Sequence, residues 1–191
     1  HFFLMGSDSL GRDIWSRTLY GGRVSITLGI SVALLAVFFG TVAGLLSGYF
    51  RWVDAVMMRV MDGFMSIPAI LFAISLIAMF GNALVIVVTA IAIPSIPRIA
   101  RLVRSVVLSV REEPYVEAAI ALDTPVWKIL LRHILPNATA PLIVQGTYVC
   151  AEAILVEAIL SFLGVGMPVE AATWGNIMAE GRSQFNAYPH M

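Results

Sequence analysis

Two stretches of this chain hold residue types that could do chemistry. The first is Glu117-Ala118-Ala119, followed by Asp123-Thr124-Pro125 and then Arg132-His133-Ile134-Leu135-Pro136-Asn137. The second is the pair Glu152 and Glu157, two carboxylates inside an otherwise apolar run from about Thr139 to Phe162. Neither pattern is that of a catalyst. A phosphate-cradling loop needs G-x-x-x-x-G-K-[ST], and the one lysine, Lys128, follows Trp127. His1, His133 and His190 are scattered, so no nucleophile–base set or metal-ligand spacing is present, and Cys150 alone cannot close an internal disulfide. Catalytic, cofactor and metal roles are therefore not expected.

What the two stretches can do is dock and gate. Pro114 suits the first turn of a helix from Pro114 to Leu122, in which Ala118, Ala119 and Ala121 keep one side narrow enough for close contact with another protein. Thr124 is expected to cap a second helix with Pro125 at its first position, giving two short helices with a corner between them. Glu117 can pair with a basic residue of the partner; the alternative is an amphipathic connector lying on the membrane. Acidic groups within a span face a protein interior or a watery cavity, because lipid exposure costs about 2.5 to 3.5 kcal/mol. Glu152 and Glu157 are thus candidates for a pathway or gate, with Glu157 near the end of its run, where water is within reach.

The elements that must position these residues follow from hydropathy. Of 191 residues, 59% are hydrophobic and 13% charged, against about 25% charged in soluble domains, and the mean hydropathy is +0.89. Twelve basic and twelve acidic residues cancel, which excludes nucleic-acid binding by counterion release. A bilayer core of about 30 Å needs roughly 20 apolar residues. Val24 to Leu46 supplies one span, Gly63 to Pro97 supplies two divided by the turn Gly81-Asn82, and Thr139 to Phe162 supplies a fourth. An all-α, polytopic transmembrane bundle follows, since lipid requires every backbone polar group to be satisfied internally. The segment 98–136 holds Arg98, Arg101, Arg104, Arg111, Lys128 and Arg132, half of the basic residues, and is assigned to the cytoplasm. That choice also puts the Tyr49 to Arg59 connection inside and both ends outside, with Arg12, Arg17, Arg23 and Arg182 as the exterior minority.

Other features carry structural expectations. Gly40, Gly44 and Gly48 form a small-residue ridge on the first span, suited to close helix packing. Pro68, Pro94 and Pro97 can bend helices that rock or are statically kinked. Arg98, Arg101 and Arg104 read as a continuation of the third span touching anionic headgroups. Arg12 and Asp13 either shape an outer docking surface or form a local ion pair.

Glu117-Ala118-Ala119, with Pro136 nineteen residues beyond Glu117, resembles the EAA loop of ATP-binding-cassette importer permeases. Three further blocks are similar to the second permease subunit of dipeptide, oligopeptide and nickel importers: Gly6-Ser7-Asp8-Ser9-Leu10-Gly11-Arg12-Asp13, Leu160-Ser161-Phe162-Leu163-Gly164-Val165-Gly166, and Trp174-Gly175-Asn176. The resemblance covers essentially the whole chain. It implies a MetI-like permease bundle in the bacterial or archaeal inner membrane, a single permease domain over 1–191, and a fragment holding about four of six spans. It also implies a heterodimer with a second related permease, nucleotide-binding ATPase subunits seated on the EAA loop at about 112–136, and an extracytoplasmic substrate-binding protein. ATP hydrolysis would belong to the separate subunit, and no cofactor is implied. Docking to the ATPase falls on Glu117, Ala118, Ala119, Ala121 and Asp123. Asp123 departs from the family, which usually has Gly there; Asp is among the few other residues that adopt the left-handed helix end this position requires. The implied cargo is a di- or oligopeptide, with nickel or another small solute as the alternative, and the rival class is a gradient-driven transporter or channel working through Glu152 and Glu157.

Overall fold

The computed structural model describes residues 4–8, 10–168 and 170–184, so His1, Ser9 and His190 of the sequence reading lie outside the described residues. Helix α1 (Ile14–Tyr49) starts where the Asp13 carboxylate accepts the N–H groups of Trp15 and Ser16, which would otherwise have no partner. Its 36 residues extend about 54 Å at 1.5 Å each, well beyond the expected span. Then come α2 (Arg51–Ser66), α3 (Ala69–Phe80), α4 (Leu84–Val110), α5 (Pro114–Ala121) and α6 (Val126–Lys128). A π-helical stretch (Ile129–Ile134) leads directly into α7 (Leu135–Phe162), and α8 (Trp174–Gln184) closes the described chain. The described residues contain no strand beyond a single bridge between Ser7 and Asp13.

Three helical stretches are long and apolar enough to cross a membrane: α1, α4 and the continuous run Val126–Phe162. The pair α2–α3 makes a fourth if counted as one broken span. Two expectations need correcting here. The Tyr49 to Arg59 connection is not a loop but the first half of α2, and the second span is interrupted. Ile67 is forced to extended backbone (φ −94°, ψ 127°) by the proline that follows it, so α2 ends at Ser66. Pro94 and Pro97, by contrast, lie within an unbroken α4.

The chain forms two compact units, 1–32, 69–91 and 150–191 in one, and 33–68 and 92–149 in the other. The second unit is built on the glycine ridge. A Cβ at Gly40 would stand 2.6 Å from Ile99 Cβ, at Gly44 2.6 Å from the Ala100 carbonyl oxygen, and at Gly48 2.5 Å from Val107 Cβ. Only hydrogen side chains permit α1 and α4 to approach this closely. Met57, Met58 and Met61 of α2 pack beside Ala43, Ile96 and Ala100. Arg101 and Arg104, expected with Arg98 to touch headgroups, form ion pairs within the chain, Arg101 with Asp62 and Arg104 bidentate with Asp54.

In the first unit α8 is knotted onto α1 and α7. Thr173 caps it by accepting the Asn176 N–H at 3.1 Å, and the Asn176 amide donates to the carbonyls of Pro168 (2.8 Å) and Ala171 (2.9 Å). Trp174 donates from Nε1 to the Thr18 carbonyl and from its backbone to Ser25 Oγ, while its ring covers Gly22. Ala158 and Ser161 leave no room for a side chain at Gly175. The blocks Leu160 to Gly166 and Trp174 to Asn176 are therefore accounted for by helix joining. Gly164, at φ +78°, ends α7, and the Val165 N–H returns to the Leu160 carbonyl.

The same unit draws in the start of the chain. Arg12 bonds Asp8 and Glu180, not Asp13, and Arg17 bonds the same two carboxylates. Burial alone would raise the Asp8 carboxyl, but the Arg12 N–H, the guanidinium groups of Arg12 and Arg17 and the Leu10 N–H outweigh it and hold the group at about 2, below the ordinary 3.8. A carboxyl lowered on folding contributes stability above the unfolded value, lost as pH falls through the folded one. Loosening of α8 from the chain start is expected between about pH 4 and pH 2. Trp174 fluorescence, with Trp15, Trp52 and Trp127 replaced by Phe, would report it, and Asp8→Asn should abolish the transition.

Candidate functional site

The corner expected between two short helices is present, with one difference. Helix α5 begins after Glu113 with Pro114 in its first turn, where a missing N–H costs nothing. It ends in a Schellman arrangement: the Asp123 N–H donates to the Ile120 carbonyl at 3.0 Å and the Thr124 N–H to the Ala119 carbonyl at 3.1 Å. That closure requires a left-handed residue, and Asp123 takes it at φ +54°, the only non-glycine with positive φ among the described residues. The difference lies in the second helix. Pro125 is extended (φ −62°, ψ 140°) and precedes α6 instead of opening it, and no Thr124 side-chain cap forms.

From Pro125 the backbone runs without a break into α7, through a widened turn. The Leu135 N–H reaches the Leu130 carbonyl, five residues back. Pro136 follows at once; its ring would clash with the carbonyl four residues earlier in a regular α-helix, and the π turn relieves that clash. Asn137 then locks α5 in place, its amide donating to the His133 carbonyl at 2.7 Å and to Tyr115 Oη at 3.1 Å. The Tyr115 and His133 rings lie 6.3 Å apart. His133 and Asn137 thus have a structural purpose, tying the short helix to the start of α7.

The site residues divide by exposure. Val116 and Ala119 are buried, so the Ala119 methyl packs against its own chain. Glu117, Ala118, Ala121 and Asp123 are exposed. Around them stand large apolar groups that the sequence reading missed: Tyr115, Ile120, Leu122 (81% exposed) and Trp127 (60%). Periodicity alone does not single them out: 115, 120 and 122 flank the buried pair Val116 and Ala119, about 70 to 90° around the helix from it. Chemically this is a contact surface: a carboxylate, two methyls and an apolar rim on a helix joined to a long one.

Glu152 and Glu157 stand elsewhere on α7. Glu157 does not reach water: it is fully buried, Oε1 accepting the Ser161 hydroxyl at 2.7 Å and Oε2 without a partner among the described residues. Glu152 is half-buried. No cluster of three His, Cys, Asp or Glu suited to a metal occurs among the described residues.

Fold and site together define a polytopic α-helical membrane protein that presents a short, exposed helix tied to a long one. Residues 25–187 match the family model described as binding-protein-dependent transport system inner membrane component, and the chain belongs to that family. It is a multi-pass protein of the bacterial inner membrane. A protein of Sinorhizobium fredii named "Probable peptide ABC transporter permease protein" is 51% identical over 93% of this chain and 61% of its own length. The dipeptide transport system permease of Alkalihalophilus pseudofirmus is 41% identical, over 99% of this chain and 62% of its own. The glutathione transport system permease of Pectobacterium atrosepticum is also 41% identical, over 98% and 62%. The chain thus spans about three fifths of the length of these relatives.

Proposed function

We propose that this chain is the core of a permease subunit of an ATP-driven, binding-protein-dependent importer, with di- or oligopeptides as cargo. The observation that supports it most is the corner at 114–137: an exposed Glu117, Ala118 and Ala121 within an apolar rim, on a helix fastened to α7 by Asn137 and closed by a left-handed Asp123. Such a surface has little purpose facing water. On a cytoplasmic ATPase subunit it becomes a joint, so that closure of the motor and the state of the spans bias one another. Hydrolysis takes place in that separate subunit, cargo crosses between this permease and a second related one, and an extracytoplasmic binding protein delivers it. The peptide cargo rests on what the relatives are named for.

The test is affinity capture of the full-length tagged subunit from its native membrane beside a Glu117→Arg variant. The wild type is expected to bring down an ATPase and a second permease, and the variant to lose the ATPase alone. A wild type that comes down by itself and still supports flux would overturn the reading in favour of gradient-driven transport. Asp123 offers a second check. Because an L-residue at φ +54° is strained by up to about 1 to 2 kcal/mol, Asp123→Gly should leave assembly intact and coupling equal or better. Loss of coupling in that variant, measured as substrate-stimulated ATPase activity, would contradict this account of the corner.

A further inference from the structure

Helix α2 has three faces, of which two are already engaged. Met57, Met58 and Met61 pack inward, and Asp54 and Asp62 are held by Arg104 and Arg101 of α4. The third carries Trp52, Val56 and Val60 at i, i+4 and i+8, exposed by 80, 53 and 48%. We propose that α2 lies along the cytoplasmic surface of the bilayer, with this stripe among the acyl chains and Arg51 and Arg59 on the phosphates of anionic lipids.

Direction is the first support. Asp54 and Asp62 are eight residues apart, about 12 Å along α2, yet their partners Arg104 and Arg101 are three residues apart, about 4.5 Å along α4. That mismatch fits a helix α2 inclined to α4 instead of running parallel to it. If α4 spans the bilayer, α2 is inclined toward the plane of the membrane. The second support is the order of groups around the helix. At 3.6 residues per turn, Trp52, Val56 and Val60 fall within about 80° of one another, Arg51, Ala55 and Asp62 form a flank centred about 120° from them, and Arg59 sits at the border between the two, as suits a helix at the boundary of hydrocarbon and water.

Charge commits the occupant. Because Arg101 and Arg104 neutralise the two aspartates, Arg51 and Arg59 remain exposed and without an ion pair among the described residues. Arg59 opens on a basin of about 500 Å³ lined also by Asp54, Met58, Asp62, Arg101 and Arg104, which carries a net charge of one plus. A protein partner on the stripe would leave these arginines with no stated counter-charge, whereas the inner leaflet supplies both hydrocarbon and phosphate. Trp52, beside Arg51 at the start of the helix, is the residue type that anchors at that depth. The inference needs only the membrane location of the chain, not the importer reading, so the two can fail separately.

The test uses the full-length subunit, with whatever partners it retains, in nanodiscs of phosphatidylglycerol and phosphatidylethanolamine. Trp52→Cys, Val56→Cys, Val60→Cys and Ala55→Cys on a Cys150→Ser background each carry a spin label. Labels at 52, 56 and 60 should collide with oxygen more than with a water-soluble nickel chelate, and the order should reverse at 55. Arg59→Gln should weaken the preference for phosphatidylglycerol about fivefold, the worth of one cation near an anionic surface. Labels at 52, 56 and 60 shielded from both reagents, as a second permease would shield them, or reached by the nickel chelate, would overturn the proposal. So would an unchanged lipid preference in Arg59→Gln.

Discussion

An Ala118→Trp subunit is expected to insert into the membrane at the wild-type level and to support no uptake above background. Ala118 is exposed on α5, one residue away from the buried Ala119, so an indole there meets nothing of its own chain and leaves the Schellman closure at Asp123 in place. If α5 docks on an ATPase subunit as proposed, the whole effect falls on that partner. A groove shaped around two methyls and a carboxylate cannot take an indole without displacing side chains, and overpacking of that kind costs about 1 to 3 kcal/mol. That alone lowers affinity by a factor of about 5 to 150. The ATPase retained by purified membranes should fall accordingly, and an unchanged ATPase complement would refute the docking role of α5. Ala119→Trp is no substitute for this experiment. Ala119 is buried, so the indole would wreck the corner from within and give the same loss of uptake for a structural reason.

The contrast between Ala118 and Ala119 shows where the sequence is legible and where it stops. Spans, turns and the left-handed position at 123 could be read because they rest on local rules: lipid forces a helix, Gly81-Asn82 forces a turn, and Asp tolerates positive φ. Which alanine of an Ala-Ala pair faces out depends on what α5 packs against, and that is the π-helical stretch Ile129–Ile134, about ten residues further on. Helix α2 was misread for the same reason. Its Arg51, Asp54, Arg59 and Asp62 look like a polar connection, but two of them are spent on Arg104 and Arg101, partners some forty to fifty residues distant. Proline shows the limit from another side. Pro68 stops a helix while Pro94 and Pro97 do not, and nothing in the local sequence separates the cases, because neighbouring helices decide whether the freed carbonyls are tolerated. The burial of Glu157 was likewise hidden by its place near the end of an apolar run, where α8 and the turn at Gly164 fold back over α7.

Gly44→Val is expected to produce the largest loss of folded protein of any single change in the described helices. In lipid no hydrophobic force drives one helix onto another, so α1 and α4 are held by close packing across Gly40, Gly44 and Gly48. At Gly44 even a Cβ would sit 2.6 Å from the Ala100 carbonyl oxygen and 2.6 Å from Val103 Cβ. The first obstacle is backbone, which no rotamer change can move, so the two helices must separate. Separation undoes the contacts at Gly40 and Gly48 as well, since one rigid ridge carries all three. The cost should exceed the 1 to 3 kcal/mol typical of overpacking, which is a large part of the roughly 5 to 15 kcal/mol available to a fold. Gly63→Ala is the matched control. It lies within α2, where an added Cβ meets nothing within 4 Å, and alanine there favours the helix by up to about 1 kcal/mol. Size-exclusion chromatography of a fluorescent fusion in mild detergent should show the monodisperse peak nearly lost for Gly44→Val and unchanged or larger for Gly63→Ala. A normal peak for Gly44→Val would mean that α1 and α4 have room to part, and the ridge would then be a sliding surface between moving helices instead of the fixed seam described here.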